Sequence, residues 1–150
     1  MTPPSRKKGA TTTSLLSREC LYRSSAHLQK MKKEVQVWLD QAYEDLDDAE
    51  YNFKGERYKT ASFLCQQAVE KACKALLLQK TGKLRKIHDL VELGKSIDLP
   101  SRLLDNCKEL TLAYIYSRYP DVVPVDNLEE KSAHFLEIAR EVFQWIEKKI

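Results

Sequence analysis

Histidine is the side chain best suited to moving a proton near neutral pH, and the sequence has three, His27, His88 and His134. His27 lies in an unpatterned stretch, His88 in a loop before a short helical pattern, and His134 beside an apolar stripe. Each spacing suits a solvated or structurally bonded histidine at least as well as a catalyst. No serine nucleophile elbow, glycine-rich phosphate loop, His-Glu-x-x-His pair or kinase signature is present. The carboxylate pairs Asp45/Asp48 and Asp40/Glu44 each share a helix face, but a metal site needs further converging ligands. No metal or cofactor is therefore expected. The segment Ala113–Asp121, AYIYSRYPD, is the most unusual: Tyr114, Tyr116 and Tyr119 surround Arg118 where a helix gives way to a loop. Arginine can grip a phosphate bidentately while tyrosines stack on bases. The same arginine, near a helix C-terminus and just before a proline, also complements the helix dipole at an ordinary stop.

Cysteines stand at 20, 65, 73 and 107, without a Cys-x-x-Cys pair. Cys65 and Cys73 fall on one helical pattern about 12 Å apart, too far for a disulfide. Free, buried thiols in a reducing cytoplasm are expected.

The elements that must position these residues are all helical. Val35, Trp38, Leu39, Ala42, Leu46, Ala49 and Phe53 recur at spacings of three and four, predicting a helix that ends near Lys54, before Gly55. Glu44, Asp45, Asp47, Asp48 and Glu50 are assigned to its solvent face. A second helix runs from about Glu56 to Lys80, with Ala61, Leu64, Cys65, Ala68, Val69, Ala72, Cys73 and Leu76 as its stripe and Gly82 as its stop. Asp89 and Glu92 form a capping pair for a short helix to about Ser96. Pro100 opens a fourth, carrying Leu103, Leu104, Cys107, Leu110, Tyr114 and Ile115 and ended by Pro120. Asp126 with Glu129 marks the start of the last, whose stripe is Phe135, Ile138, Ala139, Val142, Phe143 and Ile146. No β pattern interrupts them. The fold expected is all-α, an up-and-down four-helix bundle with an additional short helix.

Composition agrees: 43% hydrophobic and 31% charged residues, with 4 Gly and 5 Pro in 150, suit a helical globular domain. No apolar run approaches the ~18 residues of a membrane helix. Residues 1–30 hold six basic groups against one acidic, and the remainder holds 19 against 21. The basicity thus belongs to the first thirty residues, which read as a disordered basic tail, a targeting segment or sequence upstream of a wrongly chosen start. Residues 31–150 read as the helical domain.

Several motifs together resemble the HEPN family (higher eukaryotes and prokaryotes nucleotide-binding). They are Trp38 with Ala42, Asp45, Leu46 and Ala49; Tyr58, Ala61 and Phe63; the run Gln66-Gln67-Ala68-Val69-Glu70-Lys71-Ala72 with Lys74-Ala75-Leu76; His88-Asp89-Leu90 with Leu93; and Arg118-Tyr119-Pro120-Asp121. The resemblance covers about 35–150. It implies a helical bundle that forms homodimers, a separate nucleotidyltransferase as partner in a toxin–antitoxin-like pair, and, in many members, metal-independent ribonuclease activity from an Arg-x(4–6)-His signature. This sequence departs from that signature. The positions following Arg118 at those spacings are Val123, Pro124 and Val125, none able to take a proton, and only two residues separate Arg85 from His88.

The resulting expectation is a cytoplasmic, non-catalytic module that binds a nucleotide, RNA or a partner protein. Arg118, Tyr119 and Asp121 are expected to line its groove, with His88, Lys71 and Lys74 beside them. The alternatives are an atypical metal-independent ribonuclease using Arg118 and His88, and a purely structural helical dimer.

Overall fold

A computed structural model describes residues 33–119, 121 and 126–150. The first thirty residues, with His27 and Cys20, the expected stop at Pro120 and the positions Val123, Pro124 and Val125 lie outside them. Five helices follow in chain order: α1 (Lys33–Lys54), α2 (Tyr58–Thr81), α3 (Leu90–Ser96), α4 (Ser101–Arg118) and α5 (Leu128–Lys149). Among the described residues there is no strand, and no helix is long and apolar enough to cross a membrane. The bundle is the one expected, with α3 as the short addition.

The central element is α2, against which each of the other four helices packs. Ala61, Cys65, Ala68, Ala72, Cys73 and Ala75 are all fully buried on it. Their small side chains let neighbouring axes approach from several sides. Leu76, Leu77 and Leu78 fill the space near its end. Gly82 then closes the helix in the left-handed conformation (φ 71°), its N–H donating to the Leu78 carbonyl at 2.7 Å. The cysteines at 65, 73 and 107 are free and buried.

The turn from α1 to α2 differs in detail from expectation. Glu56, not Gly55, carries the left-handed φ (61°). Arg57 N–H donates to the Asn52 carbonyl at 2.8 Å and Glu56 N–H to the Phe53 carbonyl at 3.0 Å, the paired bonds of a Schellman ending. The start of α5 also differs. Asn127 precedes Leu128 in the left-handed conformation (φ 59°) and makes no side-chain cap, so the expected Asp126–Glu129 box does not form. Asp126 sits one residue too early to cap a helix that begins at Leu128. In α3 the expectation holds: Asp89 Oδ1 accepts the Glu92 N–H at 2.9 Å.

One solvent-face assignment is overturned. Glu50 is buried, 5% exposed, and receives Arg140 of α5 at 3.3 Å. Burial pushes its carboxyl up from the ordinary value, only partly offset by the Arg140 guanidinium. Tyr43, buried beside Phe143, donates its hydroxyl to Glu147 at 2.6 Å. These two polar contacts tie α1 to α5.

Candidate functional site

Along one face of α2, Gln66, Glu70 and Lys74 follow one another at the four-residue spacing that stacks side chains on consecutive turns. All three are buried polar residues. Glu70 Oε1 accepts from Lys74 Nζ at 2.8 Å, and its Oε2 accepts from the Gln66 amide at 3.3 Å. Gln67 in turn donates to Gln66 Oε1 at 2.7 Å. Lys74 is 6% exposed, with its ammonium 5.5 Å from the Trp38 ring centre, so both α2 and α1 hold it.

The loop before α3 completes this row. His88 Nδ1 lies 2.8 Å from Glu70 Oε1 and 3.4 Å from Lys74 Nζ. One nitrogen cannot donate to the carboxylate and accept from the ammonium at once. The shorter contact makes Nδ1–H the donor to Glu70, with Lys74 merely adjacent. In the neutral ring this leaves Nε2 as an acceptor, and the side chain is 76% exposed. A carboxylate that fixes the imidazole this way is the arrangement of a general base.

These groups floor and flank a groove of about 530 Å³ between α2, α4 and the loop. Gln66, Gln67, Glu70, His88, Asp89 and Leu90 face Thr111 and Tyr114 of α4 across it. Tyr114 also links the groove to Arg118, whose guanidinium donates to the Tyr114 hydroxyl at 2.5 Å and lies 4.9 Å from its ring centre. Beyond Tyr114 is a shallower recess of about 250 Å³, formed by Lys59, Thr60, Phe63, Ser117 and Arg118. Neither Lys59 nor Arg118 forms an ion pair among the described residues.

The sequence-predicted residues thus fall into separate places. Tyr114 links Arg118 to His88: it lines the groove with His88 and accepts from Arg118. Lys74 lies under the groove, held by Glu70. Lys71 points instead to α1, where it pairs with Asp45 at 2.6 Å. Tyr119 caps α4 through its backbone and leaves its ring half exposed. Asp121 is exposed. Sequence reasoning singled out Tyr114 as a ring beside Arg118, but not Gln66, Gln67, Glu70 and Thr111 as lining. The glutamines and Glu70 were within reach, because the Gln-x-x-x-Glu-x-x-x-Lys spacing places three polar groups on one face of an otherwise apolar helix. Among the described residues no group of three or more His, Cys, Asp or Glu could hold a metal ion.

The family model for the HEPN domain matches residues 35–149, which include nearly all of the helical bundle. The chain belongs to the HEPN family. Solved structures agree with that assignment. An archaeal HEPN homologue, ST0689, is 32% identical, with a TM-score of 0.63 over 76% of this chain and 95% of that one. TT1696 from Thermus thermophilus is 28% identical, with a TM-score of 0.71 over 79% of this chain and 100% of the other. A HEPN domain protein from Thermotoga maritima, TM0613, shares the fold at 22% identity and a TM-score of 0.60, over 75% and 95% of the two chains. Among curated proteins, none matches significantly. Within this HEPN domain the Gln66–Glu70–Lys74 row falls in the run that first suggested the family.

Proposed function

We propose that this HEPN domain is a non-catalytic binding module for a nucleotide or the end of an RNA strand. The observation that carries the reading is Arg118, stacked against Tyr114 and free of any carboxylate among the described residues. Stacking removes much of the conformational entropy that an arginine otherwise loses on gripping a phosphate. Lys59 adds a second cation at the same recess and Phe63 an aromatic surface. Across Tyr114, the Gln66 and Gln67 amides and the Thr111 hydroxyl offer donors and acceptors to a base edge.

The companion in this reading is a separate nucleotidyltransferase, with the HEPN domain as a homodimer in the cytoplasm; the family resemblance supports this part. A pull-down from native cells is expected to recover the nucleotidyltransferase in stoichiometric amount. Titration with nucleoside monophosphates and short RNAs tests the site directly. Arg118→Ala should weaken binding at least about tenfold, the loss of one charge-assisted phosphate contact, and unchanged binding would refute the assignment of Arg118.

A second reading is favoured by one specific contact, Glu70–His88 at 2.8 Å. It is a metal-independent ribonuclease in which His88 takes the 2′-hydroxyl proton and Arg118 stabilises charge on the phosphate. RNA cleavage in excess chelator, abolished in His88→Ala, would establish it in place of the non-catalytic reading.

A further inference from the structure

Charge along this chain is segregated in a way that the groove alone does not explain. Residues 71–88 contain six lysines and arginines and no aspartate or glutamate. Three of the six are engaged inside the domain: Lys71 with Asp45, Lys74 with Glu70 and Lys80 with Asp98. The other three, Lys83, Arg85 and Lys86, are exposed and have no ion-pair partner among the described residues. All three lie on the segment between α2 and α3.

That segment is anchored at both ends. At its start, Gly82 closes α2, and the Thr81 hydroxyl, which donates to the Leu77 carbonyl at 2.9 Å, accepts the Lys83 N–H at 3.2 Å. At its end, Ile87 packs on the core, His88 meets Glu70, and Asp89 caps α3. Its direction follows from these anchors. Gly82 stands at the end of α2, whereas His88 sits beside Glu70 and Lys74, which lie about 12–18 Å back along the helix at ~1.5 Å per residue. Six residues reach at most about 20 Å, enough for the segment to return along α2 from Gly82 to His88. It places three free cations on the stretch of chain that leads to His88 at the groove. Lys59 and Arg118 line the separate recess beyond Tyr114.

We propose that Lys83, Arg85 and Lys86 form a phosphate-tracking strip that guides single-stranded RNA into the His88–Tyr114 groove. The inference rests on the nucleotide-binding reading and names its ligand as a strand rather than a mononucleotide. A run of separated, exposed cations leading to base-edge donors and an aromatic ring suits a flexible single strand, whose phosphates bind along the run while a base enters the groove.

The test is fluorescence anisotropy of a labelled, unstructured RNA of about 12 nucleotides with the full chain, from about 50 to 200 mM salt. Each phosphate contact contributes about −0.7 to the slope of log affinity against log salt for a single strand. The Lys83→Gln, Arg85→Gln, Lys86→Gln triple variant should therefore flatten the slope by about 2. The wild type should lose roughly 20-fold more affinity than the variant over that range. Mononucleotide binding, which depends on Arg118, should not change in the triple variant, and the exposed sites should leave its melting temperature at the wild-type value.

An equal slope in wild type and variant would overturn the strip while leaving the nucleotide site standing. So would wild-type binding of mononucleotide but not RNA, or of polyglutamate but not RNA. Conversely, RNA binding with the expected slope change, but insensitive to Arg118→Ala, would keep the strip and refute the Arg118 site.

Discussion

The Glu70–Lys74 pair gives the sharpest test of how the groove is held together. The two side chains are 11% and 6% exposed and 2.8 Å apart, so each charge has little water to fall back on. Removing one member of such a pair typically costs about 3–5 kcal/mol, because the survivor is left buried and uncompensated. The lower end applies here. After Glu70→Gln, Lys74 keeps the Trp38 ring at 5.5 Å. After Lys74→Met, Glu70 keeps the Gln66 amide at 3.3 Å.

Each single substitution should therefore cost about 3 kcal/mol, a fall in melting temperature of roughly 12 °C for a domain of this size. The double variant behaves differently. Carrying both substitutions, it would leave no buried charge in the pair, and the methionine side chain fills most of the lysine stem's volume against Trp38. Its cost should be about 3 kcal/mol in total rather than about 6, a coupling energy of roughly −3 kcal/mol. Urea denaturation of the four proteins at about pH 7 closes the cycle. Additivity within about 0.5 kcal/mol, or a Lys74→Met cost below about 1 kcal/mol, would refute a desolvated pair and make this row an ordinary solvated ladder.

Four further outcomes are expected. Glu50 binds a proton more readily folded than unfolded, so its extra stabilisation is present below the usual carboxyl value of 4.5 and is lost as pH rises through the raised folded value. Glu50→Gln should flatten the fall in urea midpoint just above pH 4.5 and be no less stable near neutral pH; a steeper fall would contradict the burial argument. Burial pushes Cys65 up to about 12 and Cys107 to about 11, with Cys73 well above its usual range. On a Cys20→Ser background, thiol labelling at about pH 8 should be at least ~100-fold slower in native protein than in urea, and a rapidly labelled thiol would disprove burial at that position. Asp89→Ala removes the α3 cap and should cost about 1 kcal/mol while weakening nucleotide binding, because His88 is the preceding residue; undiminished stability would show that the cap contributes nothing. His88→Ala removes the bond to the buried Glu70 carboxylate and should cost about 1 kcal/mol, and a loss above about 3 kcal/mol would make His88 mainly structural.

The helices were legible because their apolar residues recur at the helical period over several turns. Contacts that depend on distant partners were not. Glu50 reads as solvent-facing because its compensating charge, Arg140, lies 90 residues away, and the Tyr43–Glu147 bond spans 104. Lys71 and Lys74 show a finer failure. Three residues apart, they point about 60° apart around the axis, and that angle sends one to Asp45 on α1 and the other beneath the groove. Only the packing of neighbours around α2 decides which. Arg118 was legible as a residue type, but its stacking on Tyr114 was not distinguishable from a dipole contact at a helix end. The i, i+4 relation between them was nevertheless in the sequence.

The route by which His88 reaches the surface bears on what the site can do. In the Arg-x(4–6)-His arrangement implied by the family resemblance, few residues separate the two groups. Here His88 comes from the loop before α3 and Arg118 from the end of α4, so their separation is set by the packing of α4 against α2. Each is also fixed by its own partner, His88 by Glu70 and Arg118 by Tyr114. Such a pair suits a ligand long enough to touch both the groove at His88 and the recess at Arg118. Proton transfer and charge stabilisation at a single phosphate would instead need the two groups to converge, and Arg118 is held by Tyr114 on α4. Under the proposed binding function, a strand would set one phosphate on Arg118 and a neighbouring nucleotide at His88, each group already held by its own partner.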